Sequence, residues 1–240
     1  MKPVWNKFIA VAMFAISMAA LESAVVVYLR ALYYPGEFTV AFRLIDEKVL
    51  AVEVMRELAT LVMLATIGYL CGRTFREKLA WFLISFAVWD IFYYVWLKVF
   101  IDWPSSLLEW DILFLIPFTW LGPVLAPVIC SISMLALAAA ILHRRRPVPP
   151  LVWTFIAAGC TCILYTFLKD YGTLLLTHEF AKDYPNLMQN DEFRRVASTY
   201  IPASYSWAIF WLGELLICFA IATHLYSGRA TDDHMVPLPN

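Results

Sequence analysis

The residues best placed to do chemistry lie in the stretch 52–60, where Glu53, Arg56, Glu57 and Thr60 occupy positions i, i+3, i+4 and i+7. On an α-helix that spacing puts all four side chains on one face. The surrounding segment is apolar, and each ionised group at the centre of a membrane helix costs about 2.5–3.5 kcal/mol on insertion scales. These charges must therefore meet partners from elsewhere in the chain. Three other apolar stretches carry ionisable groups of their own: Glu22 in 8–29, Asp90 in 79–100 and Glu214 in 203–225. With about 1.5 Å of rise per residue from the middle of each stretch, Asp90 and Glu214 fall on a common midplane. Glu22, Arg56 and Glu57 fall within about 5 Å of that plane, and Glu53 lies about one turn further out.

The spacing thus predicts a buried polar layer of Glu22, Glu53, Arg56, Glu57, Asp90 and Glu214, with Arg56 paired to Asp90 or Glu22. Tyr93 and Tyr94 beside Asp90 are expected to donate hydrogen bonds to it. Lys98, on the same helix face as Asp90 and Tyr94, is expected at the entrance together with Tyr94. Arg56 cannot neutralise five carboxylates, so the excess calls for protons, a bound cation or a water-filled cavity. Such a layer reads first as the site of a carrier or channel for protons, cations or a small polar solute, because carriers bind near the midplane. It also fits an intramembrane enzyme using carboxylate and tyrosine acid–base chemistry on a lipid-soluble substrate. A third reading is a non-catalytic subunit or assembly factor in which the layer is structural glue.

Other chemistries find no support in the residue pattern. His178-Glu179 lacks the second histidine of a zinc-protease helix, and no glycine-rich phosphate loop or nucleophile elbow occurs. Cys160-Thr-Cys162 has neither the two-residue spacer nor the second pair of a metal site, and all five cysteines are expected as free, small packing residues. No metal or cofactor is expected. A haem held by His143 and His224 would need both to turn inward at one depth, and both sit at helix ends, where imidazole suits the dipole.

The elements that would position the layer follow from composition. The chain is 62% hydrophobic with a mean hydropathy of +0.71, well above a soluble domain's roughly 45–50% apolar content. Apolar runs at 8–29, 49–70, 79–100, 123–143, 151–172 and 203–225 predict an all-α integral membrane protein, a bundle of six transmembrane helices forming one domain over 1–228. The run 8–29 resumes past a possible signal-peptide cleavage point and is read as a retained span. Strand-type alternation is absent, which argues against an outer-membrane barrel. The segment 104–121, rich in tryptophan and broken by Pro117, is expected to lie on the interface or re-enter the membrane before the fourth span, because one helix over 112–143 would be roughly 48 Å long against a core of about 30 Å. The stretch 191–200 predicts a short amphipathic helix over the outer mouth. The tail 229–240 is expected to be disordered.

Ala15, Ala19 and Ser23 form a small-residue stripe on the first span. Gly68 and Gly72 form a second small-residue contact, with a partner helix in this chain or in another copy, which allows a homo-oligomer. The short loops at 72–78 and 144–146 are strongly basic and, by the positive-inside rule, place both termini in the cytoplasm with 173–202 outside. The expected location is a bacterial cytoplasmic membrane, with the lipid bilayer and a small solute as partners. No nucleic-acid-binding module is present.

Overall fold

A computed structural model describes residues 2–33, 47–144, 147–200, 202 and 204–226 of the chain. In order, its elements are α1 (Lys2–Tyr33), α2 (Glu47–Cys71), α3 (Phe75–Ile101), β1 (Trp110–Phe114), β2 (Trp120–Pro123), α4 (Leu125–His143), α5 (Pro150–Thr177), a 3-10 helix (Phe180–Gln189), α6 (Asp191–Thr199) and α7 (Trp207–Tyr226). Among the described residues, α1, α3, α4, α5 and α7 are long and apolar enough to cross a membrane. The outward faces are apolar: Leu21, Met55, Val99, Leu164, Leu212 and Phe219 are all exposed. Exposed apolar surface on this scale marks contact with lipid or protein. The turn at Pro35-Gly36 and the tail lie outside the described residues.

The bundle is built on α3. α1 lies along it through its small residues: Ala15, Ala19 and Ser23 are fully buried, with Val11 and Met18 beside them against Trp81, Ile84 and Val88. Two hydrogen bonds fix the register, Ser23 Oγ to the Tyr93 carbonyl at 3.0 Å and Trp96 Nε1 to the Ile16 carbonyl at 3.0 Å. α2 packs on another side of α3, and its glycines face α3 of the same chain. A Cβ at Gly72 would lie 2.2 Å from the Lys78 nitrogen, and one at Gly68 2.7 Å from the Lys78 carbonyl oxygen. The turn between these helices is held by a Thr-x-x-Glu cap. Thr74 accepts from the Glu77 N–H, and the Glu77 carboxylate accepts the Arg73 N–H at 2.8 Å.

α4 joins this half to the second, packing on both α3 and α7. α5 and α7 meet backbone to backbone at a reciprocal glycine pair. A Cβ on Gly159 would lie 2.7 Å from the Gly213 carbonyl oxygen, and one on Gly213 2.8 Å from that of Gly159. Only residues without a side chain permit that approach.

The segment before α4 contains strands, which the sequence reading did not expect. β1 and β2 pair antiparallel, with Trp110 opposite Pro123 and Ile112 opposite Leu121, and the register shifts between Ile112 and Phe114. Strands of four or five residues, nearly all apolar, are too short to display an alternation, so period alone could not reveal them. Two further backbone bonds, Val124 N–H to the Glu109 carbonyl and Leu125 N–H to the Leu107 carbonyl, bind the hairpin to the start of α4. Pro127 sits in the first turn of α4, where a missing N–H costs no helical bond. Beyond α5 the 3-10 helix and α6 fold back, so that Phe180, Leu187, Phe193 and Ala197 pack with Tyr171, Leu174 and Leu121. α6 covers most of the stretch read as amphipathic and is capped by the Asn190 side chain, which accepts from the N–H groups of Glu192 and Phe193.

Candidate binding cavity

The polar face of α2 turns inward. Arg56 donates through Nε to Glu53 at 2.8 Å and pairs through Nη1 with Glu22 of α1. Thr60, one turn on, donates to both oxygens of Glu22 at 3.2 and 3.3 Å. Glu22, Glu53 and Glu57 are buried. The half-buried Arg56 guanidinium is tolerated because it meets the buried carboxylates of Glu22 and Glu53, and breaking such a pair exposes their desolvation cost. Glu57 points the other way and accepts the Leu115 N–H, at 2.9 Å for the nearer oxygen. It therefore ties α2 to the residue that follows β1.

A second group forms around the hairpin. Asp111 of β1 is buried, accepts the Tyr94 hydroxyl at 3.2 Å and lies 3.9 Å from Arg30. Arg30 in turn stacks over Trp103, 4.0 Å from the ring centroid. Asp111 is not legible as a site residue because it stands in the interfacial or re-entrant segment 104–121, outside any span. Its local signal is weak: an acid at the edge of the apolar run 112–116, two positions after Glu109.

A third group belongs to α4. Ser131 Oγ donates to Asp90 of α3 at 2.8 Å, and Ser133 Oγ donates to Glu214 of α7. Ser131 and Ser133 stand on a helix that carries no acid, and so bridge α3 and α7 at the level of the polar layer.

The charged members of these groups, with Ser133, line one cavity of about 510 Å³, bounded by α1, α2, α3, α4, α5, α7 and the hairpin. Glu22, Glu53, Arg56, Glu57, Asp90, Glu214, Tyr93 and Tyr94 all belong to its wall, joined by Arg30 and Asp111. Lys98 does not. Its ammonium reaches the Asp102 carboxylate at 2.7 Å and the Pro104 carbonyl at 3.1 Å, outside the cavity. The rest of the lining is apolar. Phe114 of the hairpin links Trp89 of α3, 6.2 Å away, to Trp120, 5.5 Å away, and Trp120 stacks on Phe167 of α5 at 6.0 Å. Toward the start of α3 the lining is Leu79, Leu83, Leu137, Trp153 and Ile156.

Three buried polar atoms of this wall have no hydrogen-bond partner: Oε1 of Glu214 and the Nε1 atoms of Trp89 and Trp120. One is an acceptor and two are donors. Leaving a buried polar group unpaired costs about 1–3 kcal/mol, so a water or other small polar group that pairs with these atoms is stabilised there. α2 and α5 both contribute to the cavity wall, and Cys160 and Leu164 of α5 are exposed. Among the described residues no group of three or more His, Cys, Asp or Glu is placed to hold a metal ion. Compared with protein-family models, with curated proteins and with solved structures, the chain matches none.

Proposed function

We propose that the chain is a six-span protein of a bacterial cytoplasmic membrane that binds a lipid-soluble, amphipathic molecule in its central cavity and acts on it there by acid–base chemistry. The observation that carries this reading is the trio of unpartnered polar atoms in the cavity wall, Glu214 Oε1, Trp89 Nε1 and Trp120 Nε1. A ligand that satisfies them must donate to a carboxylate and accept from indole N–H groups, which a hydroxyl or an amine beside a carbonyl does. Its apolar body fits between the aromatic wall and the leucine-lined end. α2 counts as the sixth span in this reading. It has 25 residues, turns Val52, Met55, Val62 and Met63 outward, and keeps its charges inside.

The hairpin would re-enter the bilayer as one wall of the site, since irregular backbone at that depth is tolerated where protein covers it. Asp90 and Glu214, each bonded by a serine, are the acid–base candidates, while Arg56 holds Glu22 and Glu53 aligned. The apolar lining from Leu79 to Ile156 argues against a continuous polar path to the second face, which a channel for protons or ions would need. A carrier for a cationic solute is the second reading. It is favoured by the excess of acids in the cavity, where Arg30 and Arg56 face Glu22, Glu53, Glu57, Asp90, Asp111 and Glu214.

Photoaffinity labelling tests the proposal. A long-chain aliphatic alcohol bearing a diazirine at its chain end is irradiated with the full chain in lipid nanodiscs, and the labelled peptides are mapped. Label on Phe86, Met134 and Ile156, displaced by excess unlabelled alcohol, supports the reading. Label confined to the outward residues Met55, Leu212 and Phe219 contradicts it.

A further inference from the structure

A second cavity, of about 550 Å³, lies at the end of the bundle where α1 and α3 begin and α4 finishes. Lys7 of α1, Arg73 of the link before α3, Arg76 of α3 and Arg144 after α4 converge on it, with Glu77 as the acid in its wall. Glu77 is already engaged by the Arg73 N–H in the cap of α3. Lys7 is held in place by the Cys71 carbonyl at 2.7 Å and by the Trp81 ring, 5.5 Å from its centroid. Arg144 is anchored through Nη2 to the Leu225 carbonyl, and its Nε is buried without a partner. His224 of α7 is buried, both of its ring nitrogens lack a partner, and Arg76 and Arg144 lie within electrostatic reach of it.

Lys7, Arg73, Arg76 and Arg144 outnumber the one carboxylate of this wall, Glu77, so the pocket attracts an anion. Guanidinium forks match phosphate oxygens in pairs, and basic pockets between membrane helices are suited to phosphate head groups. We propose that this pocket binds a phosphoryl group, carried by the head group of an anionic lipid or by a soluble phosphate compound. The site is separate from the central cavity and does not depend on what that cavity binds.

The test uses the full chain in nanodiscs with two probes. In the first arm, phosphatidylcholine nanodiscs doped with cardiolipin are examined by native mass spectrometry for lipid retained on the protein. In the second, inorganic pyrophosphate is titrated calorimetrically into protein in phosphatidylcholine alone. Preferential retention of cardiolipin assigns the site to a lipid head group, and binding of pyrophosphate assigns it to a soluble phosphate. In either case the double variant R76Q/R144Q weakens binding about tenfold or more, and Lys182→Gln, at an exposed position elsewhere, leaves it unchanged. Should the double variant fail to fold, the exposed pair Lys7→Gln and Arg73→Gln carries the test with the same expectation. The proposal is overturned if neither probe binds, or if the folded variants bind as the parent does.

Discussion

The guanidinium of Arg56 on α2 pairs with the carboxylate of Glu22 on α1, 34 positions earlier in the chain, and this pair joins two helices that otherwise barely touch. α1 and α2 each pack on α3 instead. The charges therefore do what apolar packing does elsewhere in the bundle, setting the position of α2 and turning its polar face to the cavity.

Removing one partner of this pair is expected to be costly. Arg56→Ala leaves Glu22 and Glu53 buried without their cation and should destabilise the protein by about 3–5 kcal/mol. The triple replacement R56M/E22M/E53M, which removes all three charges and keeps the volume, should cost much less. Reversible unfolding in mixed micelles measures both, and equal losses for the two variants would show that charge compensation is not what the pair provides.

At the α5–α7 crossing the expected effect is steric. Gly213→Ala places a methyl group 2.8 Å from the Gly159 carbonyl oxygen and 2.8 Å from Ile163 Cγ1, so the helices must separate at a cost of about 1–3 kcal/mol. Gly172→Ala, where a Cβ would meet nothing within 4 Å, serves as the control on the same helix pair. A thermal-unfolding comparison should lower the midpoint for Gly213→Ala only.

Glu57 gives a local readout. Its carboxylate accepts the Leu115 N–H, so Glu57→Leu should free that amide and loosen the end of the hairpin from α2. Hydrogen exchange by mass spectrometry should then speed up in peptides covering 110–120, while peptides from α5 keep their protection. Unchanged exchange at Leu115 would mean that the hairpin is held by β-pairing and α4 alone.

The contrast among these sites explains what could be read in the sequence. A partner for Arg56, either Asp90 or Glu22, was legible because a lone guanidinium in an apolar run is so costly that one at equal depth had to exist; the structure selects Glu22 and gives Asp90 to Ser131. The small-residue stripe on α1 and the glycines of α2 were legible because their spacing lies within one helix. The Gly159–Gly213 pair was not, since each glycine stands alone in its own helix and only the crossing brings them together. Asp111 and the hairpin were hidden for a related reason: strands of four and five residues carry too little pattern, and the value of Asp111 depends on Tyr94 and Arg30 arriving from other helices. Lys98 illustrates the opposite error. Its helical spacing from Asp90 and Tyr94 was right, but Asp102, in a left-handed conformation at the end of α3, offers a nearer partner and draws the ammonium away.

Orientation is expected from the basic loops. C-terminal reporter fusions truncated after residues 147 and 187 should be active on opposite sides of the membrane, the first in the cytoplasm and the second outside. A cytoplasmic reporter at 187 would end the six-span arrangement, and with it the assignment of α2 as a span.

If the cavity beneath the hairpin holds an amphipathic molecule, as proposed above, the molecule should be visible directly in a cryo-electron microscopy map of the full chain purified in its native lipid and enlarged by a bound antibody fragment. The map should show elongated density inside the cavity, with one polar end within hydrogen-bonding distance of Glu214 Oε1 and the indole nitrogens of Trp89 and Trp120, and a tail running toward Leu137 and Ile156. A cavity filled by a chain of waters continuous from Glu22 to the opposite face would contradict it and favour passage of protons or ions. A cavity closed by inward collapse of α2 onto α5 would leave the polar layer as structural glue.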